Sequence, residues 1–157
     1  MRIAIGSDER NNLTDFVMEE LRSRGCAMIA IGPLKGEPSQ WAEVAEQVAQ
    51  QVADGEADQG ILFCWTGTGV SIAANKVPGI RAALCRDAET ARGARAWNQA
   101  NVLGLSLRAT SEIVAKEILD AWFSAEIDNS EAANVEKVKQ IDQRYRTEPQ
   151  ARDRKNS

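Results

Sequence analysis

Apolar residues recur along this chain in two spacings, short unbroken runs and stripes at three- and four-residue intervals, and the two alternate. That alternation predicts strands followed by amphipathic helices. Arg2-Ile-Ala-Ile-Gly6 reads as a strand stopped by glycine. Asn11 and Asn12 can cap a helix whose inner face is Leu13, Phe16, Val17 and Leu21, ending at Gly25. Cys26 to Ile31 is a second strand, and Gly32 to Ser39, with Pro33 and Pro38, is a surface loop. Trp41, Val44, Ala45, Val48, Ala49 and Val52 mark the core-facing stripe of a second helix. Gly60 to Cys64 is a third strand, followed by a glycine turn and a short helix beginning near Val70 and ending at Lys76.

Pro78-Gly79 breaks the chain before a fourth strand, Ile80 to Cys85, and Asp87 caps a helix through Ala88, Ala91 and Ala94. Asn101 to Ser106 is a fifth strand. Ser111 to Ala125 forms a long helix with Ile113, Val114, Ile118 and Trp122 inward. A last helix, about Ser130 to Arg146, carries Val135, Val138, Ile141 and Tyr145 on a narrow stripe. Strand and helix alternate without a hairpin signal, so the expected fold is α/β, a three-layer αβα sandwich with a Rossmann-like five-stranded parallel sheet and a C-terminal helix. Residues 1–146 are expected to form a single domain and 147–157 a polar, disordered tail. The last helix either packs on its own sheet or reaches a second subunit, and its narrow stripe suits the second.

Composition narrows the function classes. A chain of 157 residues with 43% hydrophobic content has room for one proper core. Net charge is −4 and pI near 5.0, so no polyanion-binding surface is implied and nucleic acid is not an expected partner. No apolar run approaches the roughly 18 residues of a membrane helix, and a cytoplasmic protein is expected. Cys26, Cys64 and Cys85 form no C-x-x-C pair, which argues against a disulfide framework and against a zinc site. Histidine is absent altogether, which removes the usual neutral-pH acid/base and the commonest metal ligand.

The chemistry concentrates in Gly60-Ile-Leu-Phe-Cys-Trp-Thr-Gly-Thr-Gly-Val-Ser-Ile-Ala-Ala-Asn-Lys76. In an open parallel sheet, ligands bind beyond the carboxyl ends of the strands, where helix starts offer unpaired N–H groups. Cys64 stands at such an end, and Gly67 and Gly69 let the backbone come close to a ligand. A helix start also favours thiolate over thiol. A cysteine closing an apolar strand is more often a small core residue than a nucleophile or base, and both readings stay open here. Gly-Thr-Gly is neither a P-loop nor a complete dinucleotide fingerprint.

Together with the order of elements, Gly60-Ile-Leu, Cys64, Thr66-Gly67, Gly69, Ser71 to Lys76, Gly79-Ile-Arg-Ala82, Asn98 and Asn101-Val-Leu103 resemble the family of ribose-5-phosphate isomerase B and the galactose-6-phosphate isomerase subunits. The resemblance implies interconversion of an aldose phosphate and a ketose phosphate through a cis-enediolate, without metal or cofactor. It also implies a homodimer or higher oligomer with the site at the subunit interface. On this pattern Cys64 is the base and Thr66 a proton-transfer hydroxyl. The N–H groups of Gly67, Thr68, Gly69 and Val70 receive the enediolate oxygen, Asp8 holds sugar hydroxyls, Asn98 belongs to the site and Arg108 contributes to phosphate binding. The family's two histidines are replaced by Glu9 and Trp97, and the glycine after its cysteine by Trp65. Glu9 is the candidate to take over one proton transfer. Ser130-Glu-Ala-Ala-Asn134 stands where family arginines would reach the phosphate across the dimer, and Arg86, Arg92 and Arg95 are either a replacement anion clamp or ordinary helix-surface arginines. The expected function is an aldose-ketose isomerase of a sugar phosphate, similar to ribose-5-phosphate isomerase B, and the missing ring-opening histidine leaves open a short, open-chain or carboxylate-bearing sugar. The alternative is a non-catalytic partner subunit of a hetero-oligomeric isomerase.

Overall fold

The structure, a computed structural model, describes residues 1–147. Its parallel strands are β1 (Arg2–Ser7), β2 (Ala27–Ile31), β3 (Gln59–Cys64), β4 (Ala82–Leu84) and β5 (Val102–Ser106), arranged β2-β1-β3-β5-β4. The helices are α1 (Asn12–Ser23), α2 (Trp41–Ala53), α3 (Thr68–Ala74), α4 (Ala88–Ala96), α5 (Glu112–Ser124) and α6 (Ala132–Thr147). This is the α/β architecture that the alternating pattern predicts. The expected tail, apart from Thr147 at the end of α6, lies outside the described residues.

Side chains alternate across the sheet, so each strand feeds two cores. Ile3, Ile5, Ile61, Phe63, Leu103 and Leu105 pack under α1, α4 and α5. Ala4, Leu62, Cys64 and Val102 face the other way, against Val44 and Val48 of α2 and Val70 and Ala74 of α3. The buried Trp122 indole donates to Gln59 Oε1 at 2.6 Å, tying α5 to the start of β3. On the α2 and α3 side the helices come very close. A Cβ on Gly104 of β5 would sit 2.3 Å from Ser71 Oγ, an atom that itself donates to the Gly67 carbonyl at 2.8 Å.

Local chemistry sets the boundaries. Asn11 and Thr14 cap α1 reciprocally, the Asn11 side chain accepting from Thr14 N–H at 3.1 Å and Thr14 Oγ1 accepting from Asn11 N–H at 3.0 Å. Asp87 caps α4 through Thr90 N–H at 2.7 Å. Edge strand β4 is shorter than the apolar run Ile80 to Cys85 suggests, because side chains satisfy the flanking backbone instead. Asn101 Oδ1 accepts from Arg81 N–H at 2.8 Å, and Asn75 both accepts from Ala82 N–H at 2.8 Å and donates to its carbonyl at 2.9 Å.

Two residues expected to face the core do not. Ile113 is 74% exposed, since the buried line of α5 runs through Ala115, Ile118, Leu119 and Trp122. Trp41 shares the helical phase of Val44, Ala45 and Val48, yet it is 42% exposed, because the first turn of α2 overhangs α3 rather than the sheet. On α6 only Val135 is buried, while Val138, Ile141 and Tyr145 remain open in the single chain.

Candidate active site

The strand order reverses direction between β1 and β3, which makes the crevice beyond their carboxyl ends the topological switch point. β1 and β3 are in register there, Ser7 opposite Phe63. Asp8 therefore leaves β1 beside the point where Cys64 ends β3. A cavity of about 290 Å³ opens at this place, lined by Asp8, Trp41, Cys64, Trp65, Thr66, Thr68 and Gly69. Cys64 is largely buried, packed among α2 and α3 residues, and is one of the residues that line this cavity.

The turn after Cys64 is rigidly held. The Cys64 carbonyl accepts from Gly67 N–H at 3.2 Å and from Leu107 N–H at 3.0 Å. The next carbonyl, that of Trp65, accepts from Ser106 Oγ at 2.9 Å and Arg108 N–H at 3.1 Å. Gly67 takes φ +75°, the left-handed region, as the N-cap of α3. Its N–H is thus committed to the turn. The helix-start groups that lack an intrahelical partner by geometry are those of Thr68, Gly69 and Val70. Val70 supplies only its backbone, its side chain being fully buried. Thr66 Oγ1 and Thr68 Oγ1 share a hydrogen bond of 2.6 Å at the cavity wall, so a proton on either hydroxyl has a neighbour to move to.

Asp8 is the carboxylate that lines the cavity. Burial raises its pKa above the ordinary aspartate value, a backbone hydrogen bond opposes the rise, and the neighbouring Glu9 charge adds to it. Glu9 is exposed, with its N–H donating to Ser7 Oγ at 3.3 Å, and does not line the cavity. Arg108 is exposed just past β5. In Cys85, burial first and the Asp87 charge second push the thiol up to about 12. It is an inert core group.

Asn98 lies elsewhere. It lines a separate groove of about 420 Å³ with Trp97, Asn75, Arg81 and the α6 residues Asn134, Val138 and Asp142. That groove is the larger of the two, but it is lined by neither Cys64 nor the residues at the start of α3. Arg92 and Arg95 are not a free anion clamp. Arg92 pairs with Glu89 and lies 5.2 Å from the Trp97 ring, while Arg95 donates to the Ala100 carbonyl at 2.6 Å and stacks on Trp122 at 5.4 Å.

The residue that sequence reasoning assigned to the core and the structure places at the cavity is Trp41. Its signal was faint. It stands at the first helical position after a proline-bearing loop, where a stripe residue can overhang the end of the sheet.

The chain is a Rossmann-like parallel αβα sandwich whose switch point gathers a cysteine, a carboxylate, paired hydroxyls and the start of α3 around one small cavity. Residues 3–141 match the model of the Ribose/Galactose Isomerase family. Ribose-5-phosphate isomerase B of Escherichia coli is 39% identical over 145 residues, covering 91% of this chain and 97% of that protein. D-erythrulose-4-phosphate isomerase of Pectobacterium atrosepticum is 39% identical over 146 residues, covering 88% and 93% respectively. The solved ribose-5-phosphate isomerase B of Clostridium thermocellum superposes with a TM-score of 0.86 at 41% identity, covering 92% of this chain and 99% of that one. The chain belongs to the Ribose/Galactose Isomerase family and is a sugar-phosphate isomerase, an enzyme that interconverts aldose and ketose. Among the described residues, no helix is long and apolar enough to cross a membrane.

Proposed function

We propose that this isomerase acts on a short sugar phosphate, with a four-carbon chain favoured, through a cis-enediolate formed by Cys64. The Cys64 thiolate takes the proton from the carbon beside the carbonyl. The C–H electron pair becomes the enediolate double bond, and the carbonyl oxygen takes up the negative charge, which the amides of Thr68, Gly69 and Val70 receive. Returning the proton to the neighbouring carbon, while a hydroxyl proton crosses through Thr66 and Thr68, gives the isomer with no net change in oxidation. Asp8 orients a substrate hydroxyl, whereas Glu9, which stands where the family has a histidine, lies outside the cavity lining and takes no step here. Arg108, past the end of β5, is the candidate cation for the phosphate.

The observation carrying this reading is that Cys64 lines one cavity together with Asp8, Thr66 and Thr68. Three further facts support a short substrate. The chain has no histidine to open a sugar ring, and a four-carbon ketose phosphate has no free hydroxyl that could close a five-membered one. The cavity is small and flanked by two tryptophans. A relative of 39% identity is named for a four-carbon substrate. The separation of the Asn98 groove from the Cys64 cavity within one chain supports a homodimer whose sites are completed between copies.

The test is exchange of the carbon-bound proton in deuterated water, comparing erythrulose 4-phosphate with ribose 5-phosphate. Wild type is expected to exchange the four-carbon compound faster, and Cys64→Ala to lose roughly 10²–10⁴-fold of that rate. Equal exchange by Cys64→Ala refutes the thiol as base. Faster exchange of the five-carbon compound refutes the substrate class.

A further inference from the structure

We propose that Trp41 is the residue that sets the size of what reaches the Cys64 thiol; the inference rests on the reading of the Cys64 cavity as the reacting site. The indole lies across Gly69. A Cβ built on that glycine would stand 3.0, 3.2 and 3.3 Å from three carbons of the Trp41 ring. The ring therefore packs on the backbone of the second residue of α3, beside an amide that the reaction uses, and forms a wall of the cavity that Cys64 lines.

The wall is anchored from its own side as well. Glu43 accepts from Gln40 N–H at 3.3 Å and from Ser39 Oγ at 3.1 Å, which pins the chain just before Trp41. Val44, Ala45 and Val48, following on the same helix, are fully buried. A residue so placed and still 42% exposed adds little to the core, and its free face looks into the cavity. Trp65 flanks the same space but is 62% exposed, against 42% for Trp41. Of the two rings, Trp41 is the fixed one. It limits length on one side of the thiol and keeps bulk water from the Gly69 amide, where an oxyanion contact gains from a dry surrounding.

Two readouts test this, one independent of any sugar. The first is alkylation of the native protein by iodoacetamide and by N-phenylmaleimide, followed cysteine by cysteine by peptide mass spectrometry. In Trp41→Ala the bulky-to-small rate ratio at Cys64 should rise about tenfold, the scale on which pocket walls discriminate size. Trp41→Leu and Trp41→Phe should fall in between, in order of ring or side-chain volume lost, and the ratio at Cys26 should not move. The second is the five-carbon to four-carbon ratio of kcat/KM, which should rise with the same order. An unchanged Cys64 ratio in Trp41→Ala overturns the proposal, as does an equal change at Cys26, which would mean a loosened fold. If the alkylation ratio shifts while wild type exchanges no sugar proton, the isomerase reading of Cys64 fails and the wall stands.

Discussion

Replacing Gly67 with alanine tests the turn on which the site depends. Two separate penalties are expected. Gly67 holds φ +75°, and an L side chain in the left-handed region costs roughly 1–2 kcal/mol. The added Cβ would also lie 2.9 Å from both the carbonyl carbon and oxygen of Leu105 and 2.5 Å from Leu84 Cδ1. The leucine methyl can rotate away, but the Leu105 backbone is inside the β3–β5 ladder and cannot. Overpacking of this kind costs roughly 1–3 kcal/mol more. Gly55→Ala is the matched control, because Gly55 has φ +76° and nothing within 4 Å of its Cβ position. Urea unfolding at equilibrium should show Gly67→Ala less stable than Gly55→Ala by about 1–3 kcal/mol, with unchanged m-values. The folded Gly67→Ala protein should also lose about 10²-fold in kcat, because the amides of Thr68 to Val70 move with the turn and a misplacement near 1 Å costs that much. Gly55→Ala should keep full activity. Equal stability of the two variants would refute the argument that the Leu105 backbone fixes this turn. Full activity in Gly67→Ala would refute the role given to the helix-start amides.

Asp8 gives a prediction about pH. Its folded pKa is above the ordinary 3.8, so the folded state holds more proton than the unfolded one just above that pH, and stability falls as pH rises through the window. Asp8→Asn should therefore be more stable than wild type at neutral pH, with the gain vanishing below the ordinary value in urea midpoints measured across the range. The buried indole of Trp122 depends on Gln59, and Gln59→Leu should cost about 1–3 kcal/mol by stranding that N–H. Adding Trp122→Phe should recover part of the loss, and simple additivity in a double-mutant cycle would count against the bond. Fully buried and with its pKa pushed up to about 12, Cys85 should resist iodoacetamide in the native protein at neutral pH while Cys64 reacts. Equal labelling of the two would contradict the contrast drawn between them.

The elements were legible because local signals and burial agree. Short apolar runs became strands, buried on both faces in β1, β3 and β5, Asn11 and Asp87 became caps, and Gly67 became the left-handed entry to α3. The clustering of Asp8, Cys64, Thr66, Thr68 and Gly69 was legible through the rule that ligands lie beyond strand ends, since β1 and β3 are neighbours at the switch point. What was hidden depends on geometry between elements. A helical stripe cannot report that its first residue overhangs the sheet, which is why Trp41 read as core. Nor can residue type report that Gly67 N–H is spent inside the turn on the Cys64 carbonyl. Asn98, near in pattern to the site, lies with α6 in another groove, and the single chain brings no spacing signal for that.

The motif that carries the family resemblance divides its labour. Cys64, Thr66, Thr68 and Gly69 face the cavity, whereas Asn75 and Asn101, equally part of the pattern, face the backbone of the edge strand. Asn75 bridges both polar groups of Ala82 and also donates to the Ser71 carbonyl at 3.0 Å, and Asn101 joins Arg81 N–H to the Gly79 carbonyl at 3.0 Å. These amides do for β4 what a sixth strand would do for a longer sheet. They satisfy backbone groups that a three-residue strand, paired only with β5, leaves open. Through Ser71 the same contacts reach the Gly67 carbonyl, and thereby the turn that presents the helix-start amides. Asn75→Ala should therefore weaken the turn after Cys64 without touching the cavity it lines: about 1–3 kcal/mol of stability lost, and kcat lowered more than KM is raised. A variant with normal kcat and only reduced stability would show that β4 and the turn are held independently.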